Sequence, residues 1–189
     1  MFSDTLKYWT DRKKRFGDKC VGHVGEDHVR QGTIIGAELT KVLTGFYTHG
    51  LDFGCGYGRF TQQIASKCGH VWAADLFGDW VGRAANNRKT VTPVTLNTFQ
   101  LPFDDGTFDL VVDIMTMQSI NAAKDRETVS RELARVTAVG GTIVTMNKES
   151  VAREESFLSD LGIGNPIWSD IDHVDKNRDV YCLIRGTRL

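Results

Sequence analysis

Leu51-Asp52-Phe53-Gly54-Cys55-Gly56-Tyr57-Gly58-Arg59-Phe60-Thr61 reads as a short buried strand, a tight turn and the start of a helix. Gly54, Gly56 and Gly58 alternate through the turn. Each can take φ > 0, and none carries a side chain to hold a ligand away from the backbone. A helix opening after such a turn directs its first N–H groups back toward it. The geometry therefore favours a small polar or anionic ligand at the carboxyl edge of the strand. Two phosphate-binding fingerprints fail. The dinucleotide pattern G-x-G-x-x-G needs its last glycine at position 59, which is Arg59. A Walker loop needs Lys after its last glycine, and Arg59 follows Gly58.

The stretch resembles the first motif of class I S-adenosylmethionine-dependent methyltransferases: a hydrophobic residue, an acid, one residue, then three alternating glycines. Leu51 to Gly58 matches it throughout. The resemblance implies S-adenosylmethionine as cofactor and S-adenosylhomocysteine as its product. It places Asp52, Phe53, Gly54, Cys55, Gly56, Tyr57 and Gly58 around the methionine end. Val71-Trp72-Ala73-Ala74-Asp75 then reads as a second buried strand ending in an acid about twenty residues past the turn. In nucleoside-binding α/β sheets an acid there hydrogen-bonds the ribose hydroxyls. The resemblance makes Asp75 that ribose ligand, with Leu76 and Phe77 beside the adenine. Asn97 to Val112, which contains Leu101-Pro102-Phe103 and Phe108-Asp109-Leu110-Val111-Val112, resembles the family's third conserved region and brings Asn97, Thr98 and Phe99 to the adenine. The family often has Asp where Asn97 stands; an amide both accepts and donates. Arg131 to Val144 resembles its helix and Gly-Gly turn into strand five, with Val139 where Pro is usual.

The fold class expected is α/β: a Rossmann-like, doubly wound, seven-stranded sheet, mostly parallel, with an antiparallel last strand and helices on both faces. The 189 residues suit one methyltransferase domain, with N-terminal helices and a lid over 1–45 and the Rossmann-like core over 46–189. Ser3-Asp4 caps a short first helix carrying Leu6, Tyr8 and Trp9. Phe16 to Gly25 is a glycine-punctuated loop suited to a lid. A helix from about Glu26 to Gly45 turns Val29, Ile34, Leu39, Val42, Leu43 and Phe46 to one face. Thr61 to Cys68 is helical and closed by Gly69, and Pro93 sends strand three to a sheet edge. The tail reads as a helix from Val151 to Leu161, a loop from Gly162 to Pro166 and a hairpin across Asp175-Lys176-Asn177-Arg178.

Composition narrows the function classes. Apolar residues make up 41% and charged residues 25%, which is ordinary for a globular protein. The formal net charge of −1 gives no broad phosphate-binding surface, so large nucleic acid is a poor partner. The four cysteines, Cys20, Cys55, Cys68 and Cys182, lack C-x-x-C spacing and give neither a zinc signature nor a disulfide framework; no metal is expected. No apolar run reaches membrane-spanning length, and the N-terminus lacks an export pattern, so the expected location is cytoplasmic. Oligomeric state is not legible.

Asp113-Ile114-Met115-Thr116 follows strand four without the Pro-Pro-aromatic segment of amino-group methyltransferases acting on DNA bases or glutamine. It resembles instead the branch with varied, mostly small-molecule acceptors, in which a His-His-like pair often falls where Gln118-Ser119 stands. Gln118 can orient an acceptor but is a poor proton acceptor. Methyl transfer from a sulfonium needs positioning above all, and a base only where the acceptor must lose a proton. His23, within the lid, and Asp113, at the carboxyl end of strand four, are the candidate catalytic residues, with Asp113 also a candidate cofactor contact. His28 and Tyr8 are further candidate bases, and Arg12 could meet an acidic acceptor. Two alternatives stand beside methyl transfer to a small molecule: a non-catalytic protein binding S-adenosylmethionine or S-adenosylhomocysteine, and an NAD(P)-dependent oxidoreductase, which Arg59 and the Leu-Pro-Phe block disfavour.

Overall fold

The computed structural model describes residues 1–17, 26–86, 88–154, 157–171 and 180–189, with backbone alone for 26–28. Seven strands form one sheet in the order β3-β2-β1-β4-β5-β7-β6. They are β1 (Tyr47–Phe53), β2 (Cys68–Asp75), β3 (Val91–Thr95), β4 (Phe108–Ile114), β5 (Thr137–Lys148), β6 (Ile163–Ile171) and β7 (Tyr181–Arg188). β1 to β5 pair in parallel, and β7 runs antiparallel to both β5 and β6. The chain order reverses at β1, so the ends of β1 and β4 open a crevice at the switch point, where open α/β sheets bind ligands.

Helices cover both faces because the strands alternate. Leu110, Val112, Val144 and Met146 pack with Ile35 and Leu39 of α2 (Glu26–Val42), Ile64 of α3 (Thr61–Ala65) and Val81 of α4 (Gly78–Ala85). Val111 and Ile143, one residue out of phase, pack with Leu133 of α5 (Ala123–Val136), Val151 of α6 (Glu149–Ala152) and Phe157 of α7 (Phe157–Asp160). Side chains that alternate along a strand reach opposite faces of a sheet.

Several sequence-based boundaries are corrected. The buried stripe of α2 is Gln31, Ile35, Leu39 and Leu43, while Val29 and Phe46 are exposed. The helix after the glycine turn stops at Ala65, and Cys68 and Gly69 belong to β2. The ladder extends that far because Tyr47 at the start of β1 pairs with Cys68. The first helix, α1 (Phe2–Phe16), is longer than expected. The tail helix is replaced by the two short helices α6 and α7. The predicted loop from Gly162 to Pro166 lies largely in β6, whose register shifts between Gly164 and Ile167. Pro93 and Pro166 sit on the two edge strands, where a missing N–H costs no ladder bond. The predicted hairpin turn at 175–178 is outside the described residues.

One side-chain hub joins two stretches singled out in the sequence. Arg135 Nη1 donates to Phe103 O and Asp105 Oδ1, both at 2.8 Å, and Nη2 donates to Leu101 O at 3.1 Å. Glu132 Oε2 accepts from Leu101 N at 2.7 Å, and Arg135 also pairs with Glu132. The Leu-Pro-Phe loop is thus pinned to α5, and the hydrogen bond from Arg135 holds Glu132 below the usual carboxylate range. Arg135→Met is expected to cost about 2–3 kcal/mol, because several charge-assisted bonds vanish and two loop carbonyls lose their donor. Arg131→Met, on the exposed side of the same helix, is expected to cost less than about 0.5 kcal/mol. Urea unfolding of both variants checks this difference.

Candidate functional site

The crevice at the sheet's carboxyl edge is a cavity of about 440 Å³, within the ~300–1,000 Å³ typical of small-molecule sites. The glycine turn forms its floor. Gly54, Gly56 and Gly58 all have positive φ, at 70°, 53° and 85°. The turn's amides are engaged largely within the protein. Gly54 N and Cys55 N donate to Ala74 O, Gly56 N donates to Asp75 Oδ2 at 2.9 Å, and Gly58 N donates to Cys55 O. The turn is therefore a shaped backbone surface held to the end of β2, and side chains around it supply most of the polar groups.

Asp75 is central. It is 8% exposed, and its two oxygens accept from Gly56 N and, at 2.6 Å, from Leu76 N. Burial pushes its carboxyl up to about 6, against the lowering effect of those two amides. Asp52 sits deeper, accepts from Thr61 Oγ1 at 2.6 Å and is pushed up to about 7, chiefly by burial. Cys55 also borders the cavity, but burial pushes its thiol well above the ordinary value and its Sγ donates to Gly56 O, a packing role.

Among the other sequence candidates, Phe53, Tyr57, Leu76, Thr98 and Phe99 border the cavity. Phe77 is not among its lining residues; its ring meets Trp80 edge-on at 4.6 Å beneath Lys13. Asn97 is exposed and is not among them either, whereas its neighbour Leu96 is. Gly58 packs against α4 beside the cavity. Tyr8 and Arg12 border the cavity from α1. His23 lies outside the described residues, as do the segment 18–25 around it and the side chain of His28.

Asp113 does not reach the cavity. It is fully buried and accepts from Thr145 Oγ1 at 2.7 Å, Asn147 Nδ2 at 2.6 Å and Thr116 N at 3.1 Å. It anchors the turn after β4, where Met115 holds φ 66°. A non-glycine residue in that region persists where its surroundings over-determine it. Here Met115 N donates to Met146 O, and Thr116 Oγ1 donates to Phe53 O.

Two functional candidates were not legible in the sequence. Gln31 is 1% exposed and borders the cavity. Its Oε1 accepts from Arg59 Nη1 at 2.7 Å, and its buried Nε2 meets no acceptor among the described residues. The available signal was a polar residue in the i, i+4 register of an apolar stripe. Trp80, 2% exposed, also borders the cavity with an indole N–H that meets no acceptor among the described residues. Buried donors are normally paired, so both are candidate ligand contacts. Across the opening, α1 is held by edge-on contacts of Phe2 with Phe99 at 5.1 Å and Trp9 with Trp80 at 6.2 Å, and by the ion pair of Lys13 with Asp79. Among the described residues, no cluster of three or more His, Cys, Asp or Glu side chains is arranged to hold a metal ion, and no helix is long and apolar enough to cross a membrane.

The family model described as a methyltransferase domain matches residues 51–145. The chain belongs to that family. The matched segment runs from the glycine turn through the strand that follows α5. Norajmaline N-methyltransferase of Rauvolfia serpentina is 30% identical over 104 residues, covering 51% of this chain and 35% of that protein. The human U6 snRNA (guanine-N(2))-methyltransferase THUMPD2 is 27% identical over 156 residues, 78% of this chain and 30% of that protein. Malonyl-[acyl-carrier protein] O-methyltransferase of Erwinia billingiae is 29% identical over 121 residues, 62% of this chain and 46% of that protein. The chain thus spans between 30% and 46% of the length of these curated relatives. Among solved structures, N-methyltransferase NodS from Bradyrhizobium japonicum, in complex with S-adenosylhomocysteine, superposes with a TM-score of 0.70 at 18% identity, covering 87% of this chain and 93% of that one. The [4+2]-cyclase SpnF superposes at 0.66 and 15% identity, over 86% and 82%. At these identities the likeness concerns the fold, and this fold hosts more than one chemistry.

Proposed function

We propose that the protein transfers a methyl group from S-adenosylmethionine to a small-molecule acceptor. The observation that carries this reading is Asp75: a buried acid at the end of β2, hydrogen-bonded to the middle glycine of the turn, on a cavity bordered by the buried N–H groups of Gln31 and Trp80, which meet no acceptor among the described residues. That donor and acceptor set fits the cofactor. Asp75 accepts from the ribose hydroxyls, Leu76, Leu96, Thr98 and Phe99 flank the adenine, and Gln31 Nε2 donates to the methionine carboxylate beside the turn. When bound, S-adenosylmethionine supplies a methyl group already activated on a sulfonium. The protein's own work is then orientation and electrostatics: Asp52 and Asp75 favour positive charge, and α1 covers the opening and limits water. Two relatives named for a small molecule or a carrier-bound one support a small acceptor, as does a cavity roofed by a helix. The test is direct: purified protein with methyl-labelled cofactor and a size-fractionated metabolite extract transfers label to material below about 1 kDa, and transfer only to RNA overturns the small-acceptor reading.

The two acids predict a pH dependence. Asp52 and Asp75 titrate near 7 and 6 when folded, against an ordinary value of 3.8. A raised carboxyl binds its proton more tightly in the folded protein. Its stabilising contribution is therefore present below pH 4 and is lost as pH rises through 6 and 7. Cofactor binding runs the other way, since a sulfonium favours the ionised acids. The melting temperature of the ligand-free protein is expected to fall between pH 5 and 8, while affinity for S-adenosylmethionine rises over the same window with release of protons. Calorimetry in buffers of different ionisation enthalpy measures that release; zero release at pH 6.5 contradicts it.

A further inference from the structure

Gln118 is the one residue of the turn after β4 whose side chain is aimed by the protein and left incomplete. Its backbone N donates to Asn147 Oδ1 at 3.1 Å, and its side-chain Oε1 accepts from Lys148 N at 2.9 Å. A backbone N–H only donates, so the second bond fixes which end of the carboxamide is oxygen. The first bond fixes Asn147 in the same way, and Asn147 Nδ2 then donates to Asp113, itself held by Thr145 and Thr116. A buried network thus sets one orientation for Gln118. Nε2 is the remaining polar atom of the side chain, Gln118 borders the cavity, and Nε2 meets no acceptor among the described residues.

This donor is far from the cofactor's polar contacts. Asp75 ends β2 and Lys148 ends β5, with β1 and β4 between them. Three strand spacings separate them by about 14 Å. The cofactor occupies the β3 to β1 side, so the β4 to β7 side is left for the acceptor. There the apolar part of the wall is Ile114, Met115, Ile120 and Tyr181, and its polar part is Thr116, Gln118, Ser119, Asn121 and Lys148. The two carboxylates that border the cavity from described residues, Asp52 and Asp75, lie on the cofactor side.

We propose that the acceptor is a small carboxylate with a planar apolar body, and that Gln118 Nε2 donates to its carboxylate. The inference rests on the cofactor reading above. A planar carboxylate matches a planar carboxamide donor, is attracted to the sulfonium, and leaves the apolar wall to its body. An ammonium in the same place meets an N–H donor, which is unfavourable in the S-adenosylhomocysteine complex too; the sulfonium of the methyl donor adds to that repulsion.

Protein saturated with S-adenosylhomocysteine is titrated calorimetrically with benzoate and cinnamate, with benzylamine, and with phenyl phosphate. Either carboxylate is expected to bind at least about tenfold more tightly than benzylamine. Gln118→Leu is expected to lose about tenfold in carboxylate affinity, while affinity for S-adenosylhomocysteine stays within about twofold. Gln118→Glu, which keeps the oxygen that accepts from Lys148 N, reverses the preference toward benzylamine. Equal or tighter binding of benzylamine or phenyl phosphate to the unaltered protein overturns the proposal. So does undiminished carboxylate binding in Gln118→Leu, or no carboxylate binding at all in protein that holds S-adenosylhomocysteine. Failure to bind S-adenosylhomocysteine is the separate result that removes the cofactor reading first.

Discussion

Asp75→Ala is expected to weaken S-adenosylhomocysteine binding by about a hundredfold or more, from the loss of two or more hydrogen bonds to a charged acceptor. The acid has two jobs in one place. It holds Gly56 N and Leu76 N, so it shapes the turn, and it borders the cavity, where the proposed reading puts the ribose hydroxyls. Alanine removes the ligand's acceptor and leaves two amides without theirs. Asp75→Asn is the milder change. Its amide keeps one oxygen, but both carboxylate oxygens accept from a backbone N–H, so in either orientation the NH₂ faces a donor, and affinity is expected to fall by about tenfold. Isothermal titration at pH 7.5, above the range in which Asp75 titrates, reads both. Binding of the alanine variant within threefold of the parent would remove Asp75 from the site.

The second large effect concerns backbone shape. Gly58→Ala is expected to cost about 3–5 kcal/mol, or about 10 °C in melting temperature. Gly58 holds φ 85°, and an added Cβ would lie 2.5 Å from Ala84 Cα. That neighbour is backbone of α4, so no side-chain rotation relieves the overlap; either the turn or the helix must shift. Gly54 has a related restraint, with its added Cβ running into Thr116. Gly82→Ala is the matched control on α4, since nothing among the described residues lies within 4 Å of its added Cβ. It is expected to stabilise by about 0.5–1 kcal/mol, because alanine replaces glycine in a helix. Thermal unfolding of the two variants side by side gives opposite signs if packing at the turn matters; equal and small changes would show that α4 and the turn yield to each other.

Much of the fold was legible because its signals are local. A short apolar run marks β4, the Gly-Gly turn marks the entry to β5, Pro93 marks an edge strand, and the glycines at 54, 56 and 58 mark a turn that only small residues can make. Asp75 was legible too, since a strand ending in an acid at a set distance from the turn is a pattern along the chain. The resemblance to the methyltransferase family rests on those same local features, and the family match covers the segment that carries them.

The rest depended on tertiary contact. Gln31 was not among the residues the sequence singled out, and only the packing of α2 against the glycine turn makes it a buried donor. Asp113 looked like a reaction-centre acid because of its place at a strand end. Whether such a residue faces the cavity or the core is decided by β5, whose Thr145 and Asn147 draw it inward. The same contacts aim Gln118, about thirty residues away from Asn147 along the chain. A one-dimensional pattern states which residues can approach a ligand; which polar atoms are already satisfied by the protein, and so which remain for the ligand, is a property of the folded neighbourhood. For this chain the sequence by itself determined the sheet, the turn and the acid beside it, and the tertiary structure alone decided which side chains border the cavity and which are drawn into the core.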